Sequence, residues 1–200
     1  MLTVVIQAGG ESRRMGQDKG LLPFLGRPLI ERVIARVRPL ADEVLVTTNR
    51  PESYAFLGVP LFSDQIPGRG ALGGLYTALF VAGQPLVAVV ACDMPFVSLP
   101  LLTAERDLLE QTGSDAVIPR TEGGSEPFHA IYRRAACLPA VEAALKADKW
   151  RVDAWYGSVR LRWLEPEEVL VHNPLGRAFW NVNTPEEFRQ AEEIAAETDP

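Results

Sequence analysis

The sequence predicts an α/β fold: three layers, with a mostly parallel sheet between helices. Three observations carry this. The apolar run Thr3–Ala8 and the run Pro85–Ala91 (PLVAVVA) lack the polar alternation of a one-sided sheet, so both read as strands buried on two faces. Helical periodicity then alternates with short strands along the whole chain. No Gly/Ser linker, low-complexity stretch or internal repeat interrupts it, so residues 1–200 are expected to form a single domain.

The elements follow in order. Pro28 opens a helix through about Arg38, with Leu29, Ile30, Val33, Ile34 and Val37 on one face. Proline suits a first helical turn, where its missing N–H would have no partner anyway. Glu43–Thr48 is a strand and Pro60–Ser63 a short one. Leu72–Ala82 is a helix, and Pro100–Gln111 another. Asp115–Pro119 and the alternating Phe128–Arg133 are strands. Leu138–Lys146 is a helix, and Val159–Leu164 a strand with one wet face. The last helix carries its own start signal: Thr184 as N-cap, Pro185 as first residue, and Glu187 completing a capping box. In sheets of this kind ligands bind beyond the C-terminal strand ends, at the point where the strand order reverses.

Composition narrows the function. The 200 residues are 47% hydrophobic and 23% charged, an ordinary globular balance, with a formal net charge of −6. An acidic chain is a poor general binder of nucleic acid, whose affinity comes mostly from neutralised phosphates. A polyanionic ligand must therefore be held by a local cluster of donors. Cys92 and Cys137 form no CxxC pair and lie in apolar stretches, so both are expected to be buried free thiols. No leader opens the chain, and no apolar run reaches the roughly 18 residues of a membrane span. A cytoplasmic protein without membrane or nucleic-acid partners is expected.

One loop stands out as a phosphate cradle. The first strand runs into Gln7-Ala8-Gly9-Gly10-Glu11-Ser12-Arg13-Arg14-Met15-Gly16-Gln17-Asp18-Lys19. Adjacent glycines let the backbone turn sharply and bring successive N–H groups against an anion. Ser12, Arg13, Arg14 and Lys19 add side-chain donors. It is not a P-loop, because Gln17 follows Gly16 where that motif needs lysine, and there is no GxGxxG.

Three other segments end strands with polar residues. Thr47-Thr48-Asn49-Arg50 can read a base or simply cap a turn. Ser63-Asp64 precedes the glycine-rich Gly68–Gly74. In Ala91-Cys92-Asp93-Met94-Pro95-Phe96 a buried strand delivers one carboxylate to its tip. One carboxylate is enough for Mg²⁺ when the substrate supplies phosphate oxygens, though an Asp before a proline-containing turn can also be purely structural. In Trp180-Asn181-Val182-Asn183, alternate residues of an extended segment point one way, so both amides can face one pocket. His129 and His172 have no zinc spacing and no nucleophile motif beside them, and are read as structural or acceptor-side. Trp150, Trp155, Trp163 and Trp180 are read as core rather than as ring platforms.

The segment from Ala8 to Ile30 (AGGESRRMGQDKGLLPFLGRPLI) resembles the signature of molybdopterin nucleotidyltransferases, approximately LAGGxSxRMGxDKxLLxxxGxPL. ACDMPF at residues 91–96 and NVNTPEE at 181–187 resemble the same family, and weaker likeness covers nearly the whole chain. The resemblance implies a Rossmann-like three-layer α/β/α fold of the nucleotide-diphospho-sugar transferase type. It implies transfer of GMP from GTP to the phosphate of molybdopterin, with Mg²⁺ as cofactor and pyrophosphate as the other product. Lys19, Arg14 and Asp93 then take catalytic roles, with Asp93 as the metal ligand. Gln7, Ala8, Gly9, Gly10, Lys19, Thr47, Asn49, Asp64 and Asp93 would bind the nucleotide. Gly73, Gly74, Asn181 and Asn183 would bind the acceptor. Molybdoenzymes or cofactor-handling proteins are implied as transient partners.

Departures bear on that reading. Gln7 replaces the usual leucine, a mild departure that still lets its backbone meet the base. Ala71 replaces a proline. Asn183 stands where related transferases carry a carboxylate, which argues for acceptor recognition over a second metal. The Ala8-Gly9-Gly10 form and NVNTP favour GTP over CTP. A cytidylyltransferase on the same acceptor, and a non-catalytic carrier or chaperone of the molybdenum cofactor, remain the rival readings. Glu126–Ala130 resembles the family's segment leading into the strand that covers the acceptor site, and Trp150–Val152 resembles a basic-then-apolar stretch before a short helix.

Overall fold

The computed structural model describes residues 1–9 and 18–198. Gly10 and Arg14, two of the expected cradle residues, lie outside them, as do Ser12 and Arg13.

The strands are β1 (Leu2–Gln7), β2 (Pro23–Phe24), β3 (Arg27–Pro28), β4 (Glu43–Thr47), β5 (Leu61–Phe62), β6 (Leu86–Ala91), β7 (Ala116–Thr121), β8 (Gly124–Ser125), β9 (His129–Arg133) and β10 (Leu161–Leu164). The helices are α1 (Leu29–Val37), α2 (Pro51–Tyr54), α3 (Gly70–Val81), α4 (Leu99–Thr112), α5 (Arg134–Lys146), α6 (Pro166–His172) and α7 (Pro185–Thr198). The main sheet has the order β10-β7-β9-β6-β1-β4-β5, with β8 paired to β7. Neighbours along that order are parallel except β9, which runs antiparallel to both β6 and β7, and β8 pairs antiparallel with β7. That orientation follows from the chain: only Glu122–Phe128 joins β7 to β9, far too short for the crossover a parallel pair needs.

Alternate residues of the central strands feed two apolar layers. Leu2, Val4 and Ile6 of β1, with Val44, Val46, Ala88 and Val90, pack against Ile30, Val33 and Val37 of α1 and Leu101, Leu102 and Leu109 of α4. Val5, Leu45, Val87 and Val89 pack on the other face against Leu72, Leu75 and Leu79 of α3 and Val141 and Leu145 of α5. Burial on both faces is what the unbroken apolar runs of β1 and β6 encode. Helix α7 lies apart, pinning Phe188, Ala191 and Ala195 against Phe24, Leu29 and Phe96.

Most element boundaries agree with the sequence to within a few residues. Helix α3 begins earlier than expected, because its glycines give no apolar period. Helix α5 begins at Arg134 and carries Pro139 inside it, a residue that had read as part of a first turn. The two-residue ladder β2–β3 was not anticipated: its turn uses Leu25 (φ 50°) and Gly26 (φ 82°), and leucine is no signal for a left-handed turn position. Helix α6 was missed too, although Glu165 and Glu168 form a capping box around Pro166; glutamate is an unusual N-cap. The predicted box of α7 is present, with Glu187 N–H donating to Thr184 Oγ1 (3.1 Å) and Thr184 N–H to the Glu187 carboxylate (3.0 Å).

The chain passes from β1 to β4 and β5 on one side, then crosses to β6 on the other. The strand order therefore reverses between β1 and β6. Gln7 is in register with Thr47 and with Ala91, so the loops after β1, β4 and β6 leave the sheet at one level.

Candidate functional site

Two short contacts close the sheet end at the reversal. Ala8 N–H donates to Thr47 O (2.8 Å), and Cys92 N–H donates to Gln7 O (3.0 Å). The chain re-enters at Asp18, which caps a short 3₁₀ turn, Lys19–Leu21: its Oδ1 accepts from Gly20 N–H (3.2 Å) and its Oδ2 from Arg50 Nη2 (2.6 Å). Glycine is required at 20, since a Cβ there would stand 2.8 Å from Tyr54 Oη and 3.3 Å from Cys92 Sγ. This close approach lays Lys19 directly over the tip of β6.

There Lys19 Nζ donates to Asp93 Oδ2 at 2.8 Å and to Asn183 Oδ1 at 2.6 Å. The Lys19 and Asp93 side chains are 15% and 19% exposed, so the pair is accessible but sheltered. The segment carrying Asn183 is fixed by Val182 N–H donating to Asp93 O (3.0 Å) and Asn183 N–H donating to Glu187 Oε2 (2.7 Å). Three predicted residues from distant parts of the chain thus converge. The two asparagine amides do not act alike, however. Asn183 reaches Lys19, whereas Asn181 Nδ2 donates to Phe179 O (3.1 Å) and Asn181 O accepts from Asn183 Nδ2 (3.1 Å), so Asn181 braces its own segment.

A second polar pair lies beyond β4 and β5. Asn49 Nδ2 donates to Asp64 Oδ2 (2.7 Å), and Asp64 N–H donates back to Asn49 Oδ1 (3.0 Å). Thr47 is buried in β4, with its carbonyl holding Ala8. Gly73 and Gly74 lie in the first turns of α3. A Cβ on Gly74 would meet the Gln7 amide at 3.1 Å, and one on Gly73 would meet Arg69 Cβ at 2.7 Å. The Gln7 side-chain nitrogen is buried without a partner among the described residues, so this residue offers more than its backbone. Among the described residues, nothing lies within 4 Å of where a Cβ on Gly9 would stand.

Sequence reasoning did not single out Asp18, Arg50 or Gly20 as the support of Lys19. The signal was present, as a carboxylate directly before the lysine and a basic residue after β4, but their contact is set by tertiary folding.

Cys92, Cys137 and His129 are structural. Burial, then the Asp93 charge, holds the Cys92 thiol well above its ordinary value, and burial pushes Cys137 up to about 12; both are free, neutral thiols as expected. His129 is fully buried between Glu105 Oε1 (3.0 Å from Nδ1) and Ser98 N–H, which donates to Nε2 (3.2 Å). The second bond makes Nε2 an acceptor, so the ring is neutral with its proton on Nδ1.

A metal has one carboxylate to use here. Among the described residues no group of three or more His, Cys, Asp or Glu could hold an ion. Asp93 is partly open at a strand tip, and a hard divalent cation that takes its other ligands from phosphates and water fits one such carboxylate. No helix of the described residues is long and apolar enough to cross a membrane.

Comparison with known proteins identifies the family. Residues 4–159 match the family described as MobA-like NTP transferase domain. The chain is 39% identical over 94% of both sequences to a probable molybdenum cofactor guanylyltransferase of Carboxydothermus hydrogenoformans. It is 33% identical to a molybdenum cofactor guanylyltransferase of Desulfosudis oleivorans, over 96% of this chain and 94% of that one. Among solved structures it resembles molybdopterin-guanine dinucleotide biosynthesis protein A of Archaeoglobus fulgidus (TM-score 0.84, 26% identity, 98% of this chain and 100% of that one). The fold is shared with the 2-C-methyl-D-erythritol 4-phosphate cytidylyltransferase of Thermus thermophilus (TM-score 0.70, 21% identity, 97% and 98%). With the strand-order reversal, the lysine–aspartate pair and these relatives together, the chain belongs to the molybdenum cofactor guanylyltransferase family of MobA-like NTP transferases.

Proposed function

We propose that the chain transfers GMP from GTP to the phosphate of molybdopterin, forming molybdopterin guanine dinucleotide and pyrophosphate. The observation that carries this reading is the convergence of Lys19, Asp93 and Asn183 where the strand order reverses. A phosphate oxygen of the acceptor attacks the α-phosphorus. A new P–O bond forms, the α–β bridging P–O bond breaks, and its electron pair leaves with pyrophosphate. The attacking oxygen is already anionic near neutral pH, so no side-chain base is needed. What the site must supply is alignment and neutralisation of charge.

Lys19 supplies the fixed positive charge. Asp93 and Asn183 occupy two of its three ammonium donors, which aims the third toward a phosphate. Arg14 and the glycines at 9 and 10 complete the phosphate cradle. Asn49 and Asp64, locked to each other, present the guanine side, with Gln7, Ala8 and Thr47 lining its approach. Gly73 and Gly74 let α3 close on Arg69 and on the Gln7 amide at the tip of β1, and on this reading the acceptor lies beside that turn, contacted by Asn183 with Asn181 bracing it. Asp93 would hold Mg²⁺, which when bound neutralises the triphosphate. On this reading residues 1–200 are one working unit, with a nucleotide-binding N-terminal half and an acceptor-binding C-terminal half. It acts in the cytoplasm, where its two thiols stay reduced, and hands its product to molybdoenzymes or cofactor-handling proteins without engaging nucleic acid or membrane.

The test is pyrophosphate release by the purified protein with Mg²⁺ and molybdopterin. Release with GTP and not CTP is expected. Release with CTP alone overturns the choice of base, and nucleotide binding without release overturns the enzymatic reading.

A further inference from the structure

Trp150 is unlike the other three tryptophans. Trp155 is core at 1% exposure, Trp163 packs edge-on to Tyr156, and Trp180 stacks on Phe96. Trp150 is 57% exposed, yet it is not loose: the Arg69 guanidinium lies 4.7 Å from the ring centroid. The expectation of core tryptophans thus fails at this position.

The chain builds a support for this ring. Helix α5 ends with Lys149 N–H donating to Ala144 O (3.0 Å) and Asp148 N–H donating to Leu145 O (3.0 Å). This is the two-bond helix stop whose left-handed residue is ordinarily glycine. Here that residue is Asp148, at φ 54°. Glycine would adopt this conformation with less strain, so the cap alone does not account for aspartate. Its carboxylate is ion-paired with Arg69, the same side chain that lies over Trp150. Asp148 and Trp150 therefore hold one guanidinium between them.

The support stands at the acceptor side of the site. Arg69 is the N-cap of α3, and its stem fills the space that a side chain on Gly73 would take. Gly74, next along, approaches the Gln7 amide at the tip of β1. The indole is thus one arginine away from the glycines at the sheet end. A ring already ordered by an ion-paired arginine can stack a ligand without the further loss of freedom a mobile side chain would suffer.

We infer that Asp148 and Arg69 are positioning residues that offer the open face of Trp150 to the flat, fused heteroaromatic ring of the acceptor. The inference rests on the proposed acceptor class and extends it: the acceptor is recognised by its ring as well as by its phosphate.

The experiment varies acceptor and GTP separately for the wild type, Trp150→Ala, Trp150→Phe and Asp148→Gly. It also titrates a free pterin against the intrinsic fluorescence of the wild type and Trp150→Phe. Trp150→Ala is expected to raise KM for the acceptor about tenfold, the loss of one stack on an aromatic ring, with KM for GTP as in the wild type. Trp150→Phe should recover most of that loss. Asp148→Gly should raise acceptor KM even though it relaxes the backbone, which a purely structural role for Asp148 does not predict. The pterin should quench wild-type emission more than that of Trp150→Phe. An unchanged acceptor KM in Trp150→Ala overturns the inference, as does equal quenching in the two proteins. Absence of pyrophosphate release from the wild type would overturn the functional reading instead, and the quenching comparison would still decide on Trp150.

Discussion

Asn183 places its side-chain carbonyl 2.6 Å from Lys19 Nζ, closing a contact between residues 164 positions apart. The same nitrogen lies 2.8 Å from Asp93. The lysine is therefore held by one charged and one neutral oxygen. A neutral partner steadies the ammonium while leaving more of its charge for a phosphate than a second carboxylate would.

Lys19→Ala and Asp93→Ala should each lower kcat/KM by at least about 100-fold, about 2.7 kcal/mol of transition-state stabilisation. Stability should change little. The pair keeps some solvent contact, so the charge left behind by either substitution can be rehydrated in part. Steady-state pyrophosphate release and thermal melts measure the two quantities. A variant that turns over near the wild-type rate would remove that residue from the mechanism.

Asn183→Asp tests the neutral partner. It sets a second carboxylate on Lys19 beside Asp93 and adds one negative charge to a site that faces an anionic acceptor. The expected result is an acceptor KM raised about tenfold, on the order of 1.4 kcal/mol, with the loss reduced at high ionic strength as screening grows. Salt-independent kinetics would argue that Asn183 acts by shape alone.

Asn49 and Asp64 hold each other through two hydrogen bonds, so removing either one disorders the other. Asn49→Ala should raise KM for GTP about tenfold and narrow the preference for GTP over CTP, with a smaller effect on KM for the acceptor. The loss corresponds to about 1.4 kcal/mol, in the range of a hydrogen bond to a charged group. Competition between GTP and CTP in one reaction measures the change directly.

The parts of this molecule that follow local rules were readable in advance. The unbroken apolar runs of β1 and β6 are buried on both faces, and Thr184 and Glu187 cap α7 as their spacing predicts. Asp93 stood out because a buried strand delivers it to its tip within ACDMPF, a segment that resembles the family's. Contacts made by the fold alone were not readable. Nothing near Asp18 says that Arg50 will bind it, and nothing near Trp150 says that Arg69 will lie over it. The expectation that Asn181 and Asn183 act as equals came from strand alternation; the segment lies outside the sheet ladders, and its hydrogen bonds divide the two roles. The left-handed Leu25 and Asp148 were hidden for a similar reason, since both occupy conformations their residue types seldom adopt.

Glu105 makes stability depend on pH. Burial raises its carboxyl to about 7, against the opposing effect of His129, and its Oε2 has no partner among the described residues. His129 on β9 faces it through Nδ1–H and is fixed as neutral by Ser98 N–H. Tyr132, on the same strand, stays neutral because burial holds its hydroxyl well above the ordinary value. Below about pH 4.5 the Glu105 carboxyl is protonated in both folded and unfolded chains, and the stability associated with it is fully present. Between about 4.5 and 7 the unfolded chain loses this proton while the folded chain keeps it, so the Glu105 contribution to stability falls as pH rises. The total is on the order of 3 kcal/mol. Glu105→Gln can still accept from His129 and has no proton to lose at the buried position. Denaturant unfolding from pH 5 to 8 should therefore show a smaller decline for the variant, with Glu105→Gln the more stable protein at pH 8. Parallel curves for the two proteins would mean that the Glu105 carboxyl titrates alike in the folded and unfolded chains.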